Sequence, residues 1–167
     1  MAFSVLPSVI THSITDLTPG MLKARGIKLL MLDFDNTIVP YTTNEPTEKM
    51  ARWLEEMVQS DVPICVVSNS KRDRVKLFCA KYGIDCITHA KKPFPKGIRE
   101  CLDQYGMKPE QCALAGDQIY TDVLGARSAG LTAILVTAID NHNIWLKLRH
   151  VAEMPFIYLA KNRRITK

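Results

Sequence analysis

Short apolar runs alternate with stretches of helical periodicity along most of the chain, a pattern that predicts a parallel sheet covered by helices. Apolar runs at 27–32, 64–67, 85–88, 112–115 and 131–136 predict five strands. Between them, Met50, Leu54, Met57 and Val58 recur at helical spacing from about Thr47. Val75, Phe78, Cys79 and Tyr82 do the same before Gly83, and Ile98, Cys101, Leu102 and Tyr105 before Gly106. Thr18-Pro19 reads as a cap and first-turn proline for a short helix ended by Gly26. A further helix is expected over 121–129. Another begins beyond Asn141, with Ile144, Leu148 and Val151 inward and Pro155 interrupting it. The organisation expected is an N-terminal segment (1–26) with a short helix, a core (27–140), and a C-terminal helix and basic tail (141–167).

Each predicted strand but the last is followed by a polar cluster. Asp33, Asp35 and Thr37 follow the first, and Ser68, Asn69 and Ser70 the second. Lys91 and Lys92 follow the third; Gly116, Asp117 and then Asp122 follow the fourth. In a parallel sheet these ends share one edge, where open α/β sheets bind ligands. Singly, each cluster has a bland explanation: Asp, Ser and Asn cap helices, and a loop lysine is usually solvated. Four clusters converging on one rim are harder to explain that way.

The residue types fit phosphate chemistry, which needs an in-line nucleophile, cancelled charge on the phosphoryl oxygens, and a proton for the leaving group. Asp33 suits the nucleophile and Asp35 the acid and then the base. Mg²⁺ would take the Asp33 carboxylate, the Asp35 backbone carbonyl and the Asp117 carboxylate. Thr37, Ser68 and Asn69 would hold the phosphate. Lys92 would offset repulsion between anionic nucleophile and anionic substrate, with Lys91 as its rival. Asp122 would orient Lys92 or a metal-bound water from behind.

These motifs resemble the four motifs of the haloacid dehalogenase (HAD) superfamily. The finer pattern is similar to its subfamily IIIA, YqeG-like branch: Leu17-Thr18-Pro19, Arg25-Gly26-Ile27-Lys28, Asp33-Phe34-Asp35-Asn36-Thr37, Ser68-Asn69-Ser70, Lys92-Pro93 and Gly116-Asp117-Gln118 leading to Thr121-Asp122. The resemblance implies a single Rossmann-like α/β domain and a five-stranded parallel sheet with helices on both faces. It also implies Mg²⁺ dependence and phosphatase activity through an aspartyl-phosphate. Asp35 favours phosphate ester hydrolysis, because the dehalogenases lack that acid. Eukaryotic relatives in this branch act on phosphatidylglycerophosphate. The gaps from Thr37 to Ser68 and from Ser68 to Lys92 leave no room for a cap domain, so an open site that admits bulky substrates is expected.

Composition narrows the alternatives. No glycine-rich P-loop and no cysteine followed six residues later by arginine is present, which excludes two other phosphate-handling designs. A phospho-accepting receiver domain would want adjacent acids after strand one and a lone aspartate after strand three, where this chain has Thr88, His89 and lysines. Five cysteines without a close pair read as reduced core residues, and four scattered histidines make zinc improbable. No apolar stretch is long enough to span a bilayer, and the first fifteen residues lack a basic signal region. The expected location is cytoplasmic, or peripheral on the inner face of the membrane.

Net charge is +5, and residues 140–167 hold six Lys/Arg against two acids. That segment intersperses aromatics with cations, a pattern suited to an anionic phospholipid surface, although its first half suits packing on the sheet equally well. A phosphomonoester is the expected substrate, a phospholipid among the candidates. A soluble phosphatase of small phosphomonoesters is the second reading. A basic nucleic-acid- or ribosome-associated binding protein is the third, though nucleic acid is not the expected partner.

Overall fold

In a computed structural model of the chain, which describes residues 6–71 and 73–140, six parallel strands form one sheet. They are β1 (Val9–Thr11), β2 (Leu29–Leu32), β3 (Ile64–Val67), β4 (Asp85–Ile87), β5 (Cys112–Gly116) and β6 (Thr132–Val136), in the spatial order β1-β6-β5-β2-β3-β4. The chain builds outward from β2 through β3 and β4, then returns to the other side of β2 for β5 and β6. The order therefore reverses between β2 and β5, which pair as Leu30 with Ala113 and Leu32 with Ala115. A crevice opens beyond the carboxyl ends of strands at such a reversal.

The sheet has one strand more than the five expected. β1 pairs with the edge of β6, Val9 against Ile134, and so brings the N-terminal segment into the sheet. Three half-buried residues are too short a run to show a periodicity of two.

Alternate strand residues bury on opposite faces. Leu30 and Leu32 join α1 (Pro19–Ala24), α2 (Glu48–Val58) and α3 (Asp73–Tyr82) on one side, through Leu22, Met50, Leu54, Met57, Val75 and Phe78. Leu29 and Met31 join α4 (Lys96–Tyr105) and α5 (Leu124–Ser128) on the other, through Ile98, Cys101, Leu102 and Ala126. On α2 the inward residue is Trp53 and not Val58, which is exposed. The Trp53 indole donates to the Leu17 carbonyl at 2.7 Å, so its one polar atom is satisfied where it is buried. The helix expected over 121–129 starts differently. A wide π-type turn covers Ile119–Val123 before α5 begins.

Between Thr37 and Ser68 the chain holds a loop, α2 and β3; between Ser68 and Lys92 it holds α3, β4 and their connections. All five cysteines are free thiols. Among the described residues no helix is long and apolar enough to cross a membrane. The expected C-terminal helix and basic tail lie outside the described residues.

Candidate active site

The chain leaves β2 at Asp33, whose N–H still donates to Ala115 at 2.9 Å and so fixes the residue beside β5. Phe34 then turns into the core against Phe78, ring centroids 5.2 Å apart, and pins the loop from below. The loop closes at once: Asn36 N–H donates to Val39 at 2.6 Å and Ile38 N–H to Phe34 at 3.0 Å. Asn36 sits at φ 64°, a left-handed conformation that asparagine tolerates better than most residues. Its side chain has a second task. The Asn36 amide donates to the Asp140 carbonyl (2.7 Å) and its Oδ1 accepts from the Asp140 N–H (2.8 Å), tying the strand exit of β6 to the Asp33–Asp35 loop.

Lys92 enters from the loop after β4, and its side chain is almost wholly buried. Its Nζ lies 2.7 Å from Asp33 Oδ1 and 2.8 Å from Asp122 Oδ1, so one cation bridges two carboxylates. Lys91 points to solvent instead, at φ 57°. Asn69 secures this arrangement: its Oδ1 accepts from Lys92 N–H at 2.6 Å and its Nδ2 donates to Lys92 C=O at 2.9 Å. Gly97 lets α4 press on the same loop, since a Cβ there would lie 2.5 Å from Ala90 Cα.

Asp117 and Asp122 come from the end of β5 and the wide turn behind it. Asp122 folds back over Gly116, where an added methyl would stand 2.7 Å from Asp122 Cβ and closer still to its carboxylate. Asp122 Oδ2 accepts from Gln118 N–H at 3.1 Å, which leaves Oδ1 for Lys92. The turn and the glycine thus place the Asp122 carboxylate against Lys92.

One oxygen each from Asp33, Asp117 and Asp122 falls within 4.8 Å of the others, and all three residues are buried. Lys92 neutralises one of these three charges. Asp33 Oδ2 is buried without a hydrogen-bond partner among the described residues. A buried carboxylate oxygen in that position, with surplus negative charge around it, fits a hard divalent cation with oxygen ligands. Burial pushes the Asp33 carboxyl up to about 7, Lys92 pulls against it, and Asp122 and Asp35 add to the rise. Burial would lower the Lys92 ammonium, but Asp122 and Asp33 outweigh it and hold it above its ordinary value.

The remaining expected residues divide. Thr37 Oγ1 is buried, with no partner among the described residues, in the loop that carries Asp33. Ser68 is buried at the end of β3, and its Oγ accepts from Ser70 N–H at 3.0 Å. Asn69 spends its side chain on Lys92, so a direct side-chain contact with phosphate is not what this arrangement offers. Sequence reasoning missed Arg74. From the first turn of α3 its Nη2 pairs with Asp35 Oδ1, Nη1 reaches the Thr43 carbonyl at 3.3 Å, and the guanidinium stacks 5.2 Å from the Phe34 ring. An arginine 39 residues from its partner belongs to no short motif, and only its place after Ser68-Asn69-Ser70 could have drawn notice.

A family model described as haloacid dehalogenase-like hydrolase matches residues 37–130, which contain Ser68, Lys92, Asp117 and Asp122. The Probable phosphatase YqeG of Bacillus subtilis (strain 168) is 37% identical over 134 residues, 80% of this chain and 78% of that protein. The cobalt-bound deoxy-D-mannose-octulosonate 8-phosphate phosphatase of Haemophilus influenzae superposes with a TM-score of 0.55 at 17% identity, covering 76% of this chain and 77% of that one. The 3-deoxy-D-manno-octulosonate 8-phosphate phosphatase of Yersinia pestis gives 0.55 at 16%, covering 80% and 76%. At such identities the two structures speak to the fold alone.

Proposed function

The chain belongs to the haloacid dehalogenase-like hydrolases, and from that premise we propose that it is a phosphatase working through Asp33, with phosphatidylglycerophosphate as its substrate. The observation that carries the chemistry is Asp33 itself. Its Oδ1 is held by Lys92 at 2.7 Å while Oδ2 is buried without a partner. Asp33, Asp117 and the Asp35 backbone carbonyl would hold Mg²⁺, whose charge offsets that of the substrate phosphate.

An Asp33 carboxylate oxygen bonds to phosphorus as the ester oxygen departs. Asp35 gives that oxygen a proton, so an alcohol leaves and the phosphoryl group stays on Asp33 as a mixed anhydride. Asp35, now a carboxylate, takes a proton from water as the water oxygen bonds to phosphorus. The Asp33–phosphorus bond breaks, and phosphate and free Asp33 result. Arg74 pairs with Asp35 at Oδ1, and in this reading the other oxygen, Oδ2, carries the proton. Lys92, oriented by Asp122, meets the charge that builds on the phosphoryl oxygens. Thr37 and Ser68 offer hydroxyls, and Asn69 acts by holding the Lys92 backbone.

The lipid reading draws support from the elements between the motifs. Helices α2 and α3 with their strands fill both gaps, which favours a mouth open to a bulky substrate. Hydrolysis of phosphatidylglycerophosphate in mixed micelles, compared with a panel of soluble phosphomonoesters in Mg²⁺ or EDTA, tests it. The lipid should give the highest kcat/KM by about tenfold or more, lost in EDTA and in Asp33→Asn. A soluble ester preferred by the same margin would refute the substrate. No hydrolysis of any ester would refute the chemistry.

A further inference from the structure

Exposed apolar side chains are unevenly placed on this molecule. Among the described residues, seven large apolar side chains are exposed: Met21 in α1, Val58 at the end of α2, Leu77 within α3, and Tyr41, Phe94, Tyr120 and Ile139 in the connections that follow β2, β4, β5 and β6 respectively. All strands run parallel, so these four connections leave the same edge of the sheet, the edge that carries Asp33. The connections that carry Asp33, Lys92 and Asp117 each also carry one exposed apolar group: Tyr41, Phe94 and Tyr120.

Phe94 is the strongest case. The residue is 70% exposed, one position beyond the Lys92-Pro93 pair. The turn that presents it is held on several sides. Phe94 N–H donates to Lys91 at 2.9 Å, Asn69 brackets the Lys92 backbone, and Gly97 abuts Ala90. A ring on so fixed a turn cannot fold back to the core, and it stays in water until something else covers it. Lys91 and Lys96 flank it, both exposed, and Lys71 is exposed in the loop after β3. Single apolar groups spaced around an opening, with lysines between them, match the boundary between headgroups and acyl chains. There rings enter the apolar layer and ammonium groups meet phosphates.

We propose that the carboxyl-edge rim is a docking surface for an anionic phospholipid bilayer, with Phe94 as the inserted anchor and Lys71, Lys91 and Lys96 as the headgroup contacts. This deepens the phosphatidylglycerophosphate reading and rests on it for what happens after docking. The bilayer would then cover the mouth and exclude water from Asp33, since among the described residues only α2, β3, α3 and β4 lie between Thr37 and Lys92.

The test uses the full chain and co-sedimentation with phosphatidylcholine vesicles, with and without phosphatidylglycerol. The wild type should bind only the anionic vesicles and be released by salt. Phe94→Ser should bind roughly tenfold to a hundredfold more weakly, the equivalent of leaving a phenylalanine side chain in water. Lys96→Glu should weaken binding as well, and both variants should hydrolyse a soluble phosphomonoester at the wild-type rate. Wild-type binding by Phe94→Ser, or equal binding to neutral vesicles, overturns the proposal. So does a Phe94-dependent dimer in lipid-free sedimentation velocity, which would assign the rim to a second copy of the chain. Hydrolysis distinguishes the two readings. Phe94-dependent docking without phosphatidylglycerophosphate hydrolysis refutes the substrate and keeps the surface. Hydrolysis of that lipid in micelles, with vesicle binding indifferent to Phe94, refutes the surface and keeps the substrate.

Discussion

Lys92→Met removes the one buried cation from the Asp33–Lys92–Asp122 bridge while keeping an unbranched apolar stem of similar reach. The ammonium lies 2.7 and 2.8 Å from its two partners, and its side chain is about 1% exposed, so water cannot take its place. Breaking a buried pair by removing one partner costs about 3–5 kcal/mol. Protonation caps that cost. The Asp33 carboxyl already stands near 7 because burial raises it, and Lys92 is what pulls it down, so the variant should place it higher. A carboxyl raised in the folded state binds its proton more tightly there than in the unfolded chain. The fold therefore loses stability as pH climbs from the unfolded value toward the folded one. In the wild type this loss ends near pH 7; in Lys92→Met it continues above that. The stability gap between the two proteins should widen by up to about 1.4 kcal/mol per pH unit from pH 7 upward. Urea unfolding in EDTA at pH 6 and pH 9, followed by fluorescence of buried Trp53, measures it. A gap that is the same at both values, or stays below about 1 kcal/mol, would refute the bridge as described.

Three further outcomes follow from the same geometry. With Asp33 near 7, protons compete with metal, so apparent Mg²⁺ affinity should rise about tenfold per pH unit below pH 7 and level off above it, as calorimetry would show. Gly116→Ala should force Asp122 off Lys92, costing about 1–3 kcal/mol in thermal unfolding and lowering kcat more than it changes KM. Asn36→Ala should cost about 2–4 kcal/mol, because it loses both bonds to Asp140 and strains a residue at positive φ. Asn36→Gly should recover the strain and leave only the missing bonds, and equal losses in the two variants would contradict that division.

Much of this was legible in the chain because parallel strands put their ends on one edge. Once 27–32, 64–67 and 112–115 read as strands, Asp33, Ser68 and Asp117 had to share a rim, whatever the loops did. What stayed hidden depends on pairing across distance or on side chains with two possible uses. Arg74 finds Asp35 only after α3 has docked beside the β2 loop. Asn69 has the chemistry of a phosphate ligand, and the sequence holds nothing to show that it faces the Lys92 backbone. Val58 and Trp53 both fit an apolar stripe at the level of spacing, and packing against Leu17 chose Trp53. β1 was invisible because an edge strand of three residues takes its conformation from β6.

The turn after β5 shows why spacing alone left Asp122 between two partners, Lys92 and a metal-bound water. An α-helix started directly after Asp117 would carry a side chain five residues on around the axis and along the helix, away from the strand end. The Ile119–Val123 segment winds wider than that, with Val123 N–H donating to the Gln118 carbonyl five residues back at 3.2 Å, while Asp122 N–H donates to the same carbonyl at 2.9 Å and Gln118 N–H returns to the Asp122 carboxylate at 3.1 Å. This closed exchange holds the carboxylate against Gly116, a position available only because no Cβ is there. Glycine and wide turn therefore act as one device, which sets Asp122 where Lys92 can bridge it to Asp33. Wide turns of this kind recur at functional sites, and this one sets the Asp122 carboxylate 2.8 Å from the Lys92 ammonium.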